Sequence, residues 1–256
     1  MGLVYECGAG LVNTYLAKAN SGIDAYIFSS GPSLSVVDIE SFYGKPIYRI
    51  GINTTYPKVK PDMWIGMDYP KCFNEKIWHE PFPKVLRYPY SQHVVRGKKV
   101  KDCPFVYFAT VDEKNTPHPE REIFMRRSHK TNFIWTNNTF TTTLHILIWM
   151  GFKRIHLLGS DFGGEKTYFE DSEEYRPFNH DKNSPAGKIS KSQEKKNLKL
   201  YMQQLKFLRR FCEHGERHGV EVISCTKSSP ANALLKYIDP SLALKQSIKR
   251  SEDFKS

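Results

Sequence analysis

Short apolar runs, each closing on small or polar residues, constrain this 256-residue chain most. They are strands predicted at 25–29, before Ser30-Gly31, at 46–52, before Asn53, at 62–67, before Asp68, and at 154–159, before Ser160-Asp161. A further run lies at 220–224. Runs this short, with little polar alternation, read as strands buried on both faces. Between them the pattern predicts helices at 33–42, at 139–150 with Gly151 ending it, at 193–218 with Gly219 ending it, and at 230–237. Strands alternating with helices predict an α/β, Rossmann-like fold, a mainly parallel sheet with helices on both faces. Such sheets bind ligands outside the carboxyl ends of their strands. Ser30, Gly31, Asn53, Asp68 and Asp161 all fall at predicted strand ends.

The expected organisation is one nucleotide-binding domain over 23–240, a leading segment at 1–22 and a tail at 241–256, frayed from Lys245. Residues 70–130 hold prolines and basic residues around one clear strand at 105–109. They read as an irregular insertion or a lid between two halves of the sheet. Residues 163–192 are polar and read as a lid loop. Cys7-Gly8-Ala9-Gly10 has part of a dinucleotide fingerprint, but it lacks the third glycine and precedes the first strand.

Composition narrows the classes. No apolar run is long enough to span a bilayer, and the amino terminus lacks the basic-then-apolar pattern of a secretory signal. The five cysteines are scattered, with no Cys-x-x-Cys pair, which speaks against a disulfide framework or a structural zinc site. A cytoplasmic location is therefore expected. The two glycosylation triplets, at Asn53 and Asn137, are read as chance. A net charge of +11 favours anionic partners, with basic residues concentrated at 84–101 and 182–210. These clusters fit solvated faces, an anionic donor or acceptor, or peripheral contact with the inner face of a membrane. No nucleic-acid-binding motif accompanies the charge, so no nucleic-acid partner is expected; an oligomer is compatible with the sequence.

Ser29-Ser30-Gly31-Pro32-Ser33-Leu34 follows the first strand. A glycine lets the backbone approach a phosphate, serine hydroxyls donate to it, and a following helix would aim N–H groups at it. Other constellations are poorer. No Asp-x-Asp stands at a strand end and no Gly-x-Ser-x-Gly elbow is present. Glu170–Glu174 reads as a solvated acidic loop, and His145 and His156 read as core or helix-edge residues rather than zinc ligands.

The order of these elements resembles a known superfamily. Its marks are Ser-Gly-Pro-Ser-Leu after the first strand, Asn53, Pro61-Asp62 leading to Asp68, and Thr141-Thr142-Thr143 in an apolar helix. They continue with Gly151-Phe152-Lys153-Arg154-Ile155-His156-Leu157-Leu158-Gly159-Ser160-Asp161-Phe162 and Ser228-Ser229-Pro230. The chain resembles the bacterial family 42 sialyltransferases and the related "domain of unknown function 115" proteins, which include a 6-hydroxymethylpterin pyrophosphokinase. The resemblance spans roughly residues 24–240, with a gap at 70–130. It implies a glycosyltransferase using a CMP-linked, sialic-acid-like donor to modify a glycan or lipid-linked acceptor. Ser30, Gly31, Ser33, Asn53, Asp68, Thr141, Thr142 and Asp161 would then hold the donor. Tyr168 would assist the departing phosphate and His180 would be the catalytic base. The second tyrosine position of that family is Gly163 here, and Lys188 or Ile189 competes with His180 for register. No metal is implied by this reading. A pyrophosphokinase-like transfer from ATP would instead need magnesium, on carboxylates such as Asp68 and Asp161. A third reading keeps the fold as a non-catalytic nucleotide- or glycan-binding protein.

Overall fold

The structure, a computed structural model, describes residues 3–4, 22–112, 118–125, 133–136, 138–162 and 191–254. In chain order its strands are β1 (Leu3–Val4), β2 (Ala25–Phe28), β3 (Tyr48–Ile52), β4 (Met63–Gly66), β5 (Lys84–Arg87), β6 (Val94–Val95), β7 (Lys98–Lys99), β8 (Val106–Ala109), β9 (Val111–Asp112), β10 (Phe133–Ile134), β11 (Arg154–Leu158) and β12 (Glu221–Ser224). The helices are α1 (Pro119–Met125), α2 (Thr139–Met150), α3 (Lys191–Arg217) and α4 (Pro240–Asp253).

Among the described residues the main sheet runs β1-β8-β5-β4-β3-β2-β11-β12. Every pairing in it is parallel except β1 against β8. Successive residues of a strand point to opposite faces, which divides the core in two. Ile27, Ile50, Ile65, Val85, Ile155 and Val222 pack on one face with Leu144 and Leu147 of α2 and Leu208 and Phe211 of α3. On the other face Tyr26, Phe28 and Leu158 meet Ala243 and Leu244 of α4. Beyond them Trp64, Leu86 and Phe108 meet Phe73 and, from the 3-10 turn Glu75–His79, Ile77 and Trp78. The fold is therefore the expected α/β, Rossmann-like sheet covered on both sides.

Three local expectations change. Residues 70–130 contribute β5 and β8, which extend the parallel sheet rather than interrupt it. Lys84 hid β5: its ammonium is buried and donates to the carbonyls of Glu80, Phe82 and Pro104 at 2.5, 3.0 and 3.1 Å, so a charged residue fills a core strand position. Burial pulls its pKa down to about 8. The helix expected at 33–42 is two 3-10 turns, Pro32–Val36 and Glu40–Phe42.

The tail expected to fray beyond Lys245 is the body of α4. Asp239 caps it, accepting from the N–H groups of Ser241 (2.9 Å) and Leu242 (3.4 Å), and Pro240 fits its first turn. Ser247 and Arg250 both donate to the buried carboxylate of Asp24, just before β2, and Ser247 also meets the Tyr26 hydroxyl at 2.7 Å. His156 of β11 joins through Nε2, 3.0 Å from Asp24. Burial alone would raise the Asp24 pKa. The hydrogen bonds from His156, Arg250 and Ser247 outweigh it and hold the carboxyl below its ordinary value.

Candidate active site

The chain runs outward from β2 through β3, β4, β5 and β8, then returns through α2 to place β11 on the other side of β2. The order reverses between β2 and β11, and a crevice opens outside their carboxyl ends. Ser29, Ser30, Gly31, Asn53, Asn138, Ser160, Asp161 and Tyr201 are among its lining residues.

The loops after β2 and β11 interlock. Ser29 N donates to Leu158 O (2.8 Å) and Gly31 N to Gly159 O (3.0 Å). The two serine hydroxyls, Ser29 and Ser160, lie 3.0 Å apart. Both glycines are required by contact. A Cβ on Gly31 would stand 2.1 Å from Asp161 Oδ2 and 2.4 Å from Gly159 O; one on Gly159 would stand 2.2 Å from Ser29 O. Ser229 Oγ donates to Ser160 O (2.7 Å), and Ser160 N donates to Thr226 Oγ1 (3.2 Å), so the loop after β12 braces the same crossing.

Asp161 turns into this knot. Its Oδ2 accepts from Ser33 Oγ (2.8 Å) and Ser33 N (3.2 Å). Burial raises its pKa, and the two Ser33 hydrogen bonds pull the other way. The turn at Pro32–Val36 therefore gives donors of Ser33 to a carboxylate of the chain itself. The expected helix N-terminus aimed at a phosphate is absent there, and Ser33 braces Asp161 rather than lining the crevice.

Asn53 follows β3 with φ of 51°, a left-handed conformation that asparagine tolerates. Trp64 Nε1 donates to its carbonyl at 2.8 Å and fixes the turn. Its side-chain Oδ1 is buried on the crevice wall and has no hydrogen-bond partner among the described residues. A buried acceptor of this kind needs a donor, here one that a ligand can bring.

The structure brings Ser30, Gly31, Asn53 and Asp161 together, with Ser33 behind them. It does not bring Thr141, Thr142 or Asp68 into the lining. Thr141 and Thr142 are buried within α2, where Thr142 Oγ1 donates to Ile134 O (2.9 Å). Asn138, about one turn earlier, and Phe140 reach the crevice instead; Asn138 also caps α2, accepting from Phe140 N at 2.7 Å. Asp68 is exposed. Tyr168 and His180 lie outside the described residues. From α3 come Tyr201 and Gln204, which no sequence motif marked. The Tyr201 phenol is pushed up by burial first and by the Asp161 charge second, so it remains a hydrogen-bond donor at neutral pH.

His145 and His156 are buried core residues, as read from the sequence. Among the described residues no group of three or more His, Cys, Asp or Glu is placed to hold a metal ion, and no helix is long and apolar enough to cross a membrane. A larger cavity, about 1020 Å³, lies at the opposite edge, by the amino ends of β2, β11 and β12. Several of its polar groups pair with one another or with the backbone: Arg154 with Glu221 at 2.7 Å, Arg250 with Asp24, and Lys153 with His218 O at 2.7 Å.

No protein-family model and no curated relative matches the chain. Solved structures with similar folds include the sialyltransferase CstII from Campylobacter jejuni in complex with a substrate analogue, CMP-3FNeuAc. That pair is 17% identical over 84% of this chain and 86% of the other, with a TM-score of 0.46. The sialyltransferase CST-II in complex with a trisaccharide acceptor and CMP is 14% identical over 83% and 85%, with a TM-score of 0.43. The monofunctional alpha-2,3-sialyltransferase Cst-I from Campylobacter jejuni is 12% identical over 83% and 79%, with a TM-score of 0.42. These likenesses are distant, and the crevice's own residues carry its chemistry.

Proposed function

We propose that the chain is a glycosyltransferase that uses a nucleotide-activated sugar, with a CMP-linked, sialic-acid-like donor favoured and a glycan or lipid-linked acceptor. The observation that carries this reading is the unpaired Asn53 Oδ1 in a crevice at the switch point of a parallel sheet. A nucleotide supplies N–H and O–H donors for such an acceptor. Ser30 supplies a hydroxyl for its phosphate, Gly31 leaves room for the phosphate to approach, and Asn138 adds a side-chain amide.

Sugar transfer from a nucleotide leaves negative charge on the departing phosphate. Positioned hydroxyls and N–H groups that stabilise this charge lower the barrier by a few kcal/mol each. Tyr168 is assigned to the same task. His180 is assigned as the base that takes the proton from the acceptor hydroxyl, because an imidazole titrates near neutrality without tuning. Asp161 holds the Ser33 turn and, through it, the donor loop. The transfer so described uses no metal.

Calorimetric titration with CMP, CDP, UDP, GDP and ATP tests the reading. CMP is expected to bind without magnesium, and Asn53→Ala to weaken it by about tenfold, the loss of one hydrogen bond in a buried site. No binding by any cytidine nucleotide overturns it. Magnesium-dependent binding of ATP alone would favour the pyrophosphokinase-like chemistry. Donor turnover that His180→Ala leaves unchanged would remove that residue as the base.

A further inference from the structure

Helix α3 is anchored on one side by Phe207, Leu208 and Phe211, all buried. Its other side therefore has a fixed outward direction. At 3.6 residues per turn, Lys195, Lys199, Lys206, Arg209 and Arg210 share that outward face, and all five are exposed. Leu198 and Met202 stand among them, 60% and 52% exposed and one turn apart. Toward the carboxyl end the charges pair within the fold: Arg209 with Glu213 at 3.4 Å, Arg210 with Glu120 at 3.8 Å. Around Leu198 and Met202 the described charged side chains, Lys195, Lys199 and Lys206, are all cationic.

We infer that this face docks on an anionic lipid surface. Each component has a use there. Lysine stems lie along apolar surface while their ammonium groups reach lipid phosphates. The Leu198–Met202 pair enters the headgroup boundary, as apolar residues of interfacial helices do. Two apolar side chains are far too little area for a stable protein interface. A nucleic acid or other soluble polyanion would use the lysines and leave the apolar pair in water. The patch also adjoins the crevice, because Leu198 and Tyr201 are i, i+3 neighbours and Tyr201 lines it. Docking would set the crevice mouth at the membrane surface, where a lipid-linked acceptor is presented. That last consequence rests on the proposed function, whereas the docking does not.

Co-sedimentation of the full chain with vesicles tests the docking without any enzymatic readout. Vesicles of phosphatidylcholine containing phosphatidylglycerol are expected to bind it, and vesicles of phosphatidylcholine alone are not. Lys195→Glu/Lys199→Glu/Lys206→Glu should weaken partitioning by at least about a hundredfold, from about fivefold for each lysine charge lost near such a surface. Leu198→Ser/Met202→Ser should weaken it severalfold at unchanged charge. Lys98→Glu/Lys99→Glu, on the exposed β6–β7 ribbon, should bind like the parent. Circular dichroism of each variant confirms that it is folded. Binding that survives the three reversals overturns the inference. So does insensitivity to the Leu198/Met202 change, which would mark a face that only attracts polyanions. A parent chain that binds CMP but not the anionic vesicles would sink the docking alone; one that binds the vesicles but not CMP would sink the nucleotide site alone.

Discussion

Gly31→Ala isolates the crossing of the two loops. Gly31 has an extended backbone (φ −66°, ψ 157°), so alanine meets no conformational penalty and the effect is steric. The new methyl would stand 2.1 Å from Asp161 Oδ2 and 2.4 Å from Gly159 O. The carboxylate can swing away, at the loss of its Ser33 bonds; the carbonyl belongs to the backbone of a loop pinned by Ser229. Overpacking of this kind costs about 2–3 kcal/mol. For a chain of this size that lowers the thermal midpoint by about 4–12 °C. Urea and thermal unfolding measure it, and calorimetry with CMP reports the accompanying loss of affinity. In an Asp161→Ala background the clash with the carboxylate is gone but the clash with Gly159 O stays. There Gly31→Ala should still cost at least about 1 kcal/mol. A cost under about 0.5 kcal/mol in both backgrounds would refute the reasoning that the two loops are interlocked at contact distance.

Asn138→Ala removes the α2 cap and should cost about 1 kcal/mol in urea unfolding, with weaker CMP binding in the same variant. Asp24 has a folded pKa below its ordinary value, so its stabilisation is present above that value and is lost as pH falls through the folded pKa. His156, lowered by burial against the rise from its Asp24 bond, favours the neutral form in the fold and adds to the loss on acidification. Urea midpoints should drop below about pH 6 through His156 and again below about pH 4 through Asp24, and Asp24→Asn, less stable at pH 7, should lose the second drop but keep the first. Lys84 works in the opposite range. Its folded pKa, about 8, lies under the ordinary lysine value, so stability should rise as pH climbs from 8 toward 10, and Lys84→Met should lack that rise.

Much of the sheet was legible because buried parallel strands leave apolar runs. The site was legible where a strand end coincided with a turn residue, as at Gly31, Asn53 and Asp161. It was not legible where residue type and burial part company. The threonines of α2 look like a polar helix start, yet Thr143 Oγ1 returns to Thr139 O (2.8 Å) and Thr142 Oγ1 to Ile134 O, so both are core residues. Asn138, one turn earlier, is the residue that faces the crevice. Tyr201 and Gln204 come from a helix distant in sequence, and the one available sign was a phenol at the border of the helix's polar and apolar faces. α4 was missed because its charges suggested solvent, although Asp239-Pro240 is a helix-start signature.

The clasp on Asp24 has a consequence for how the chain is made. Its partners Ser247 and Arg250 lie 223 and 226 residues further on. At a synthesis rate of 5–20 residues per second, that interval is about 10–45 s. Until then Asp24, just before the strand at the middle of the sheet, can meet only His156 of β11, made 132 residues after it. The clasp can therefore close only once Arg250 has emerged from the ribosome, and nascent chains that end before it should remain clients of chaperones.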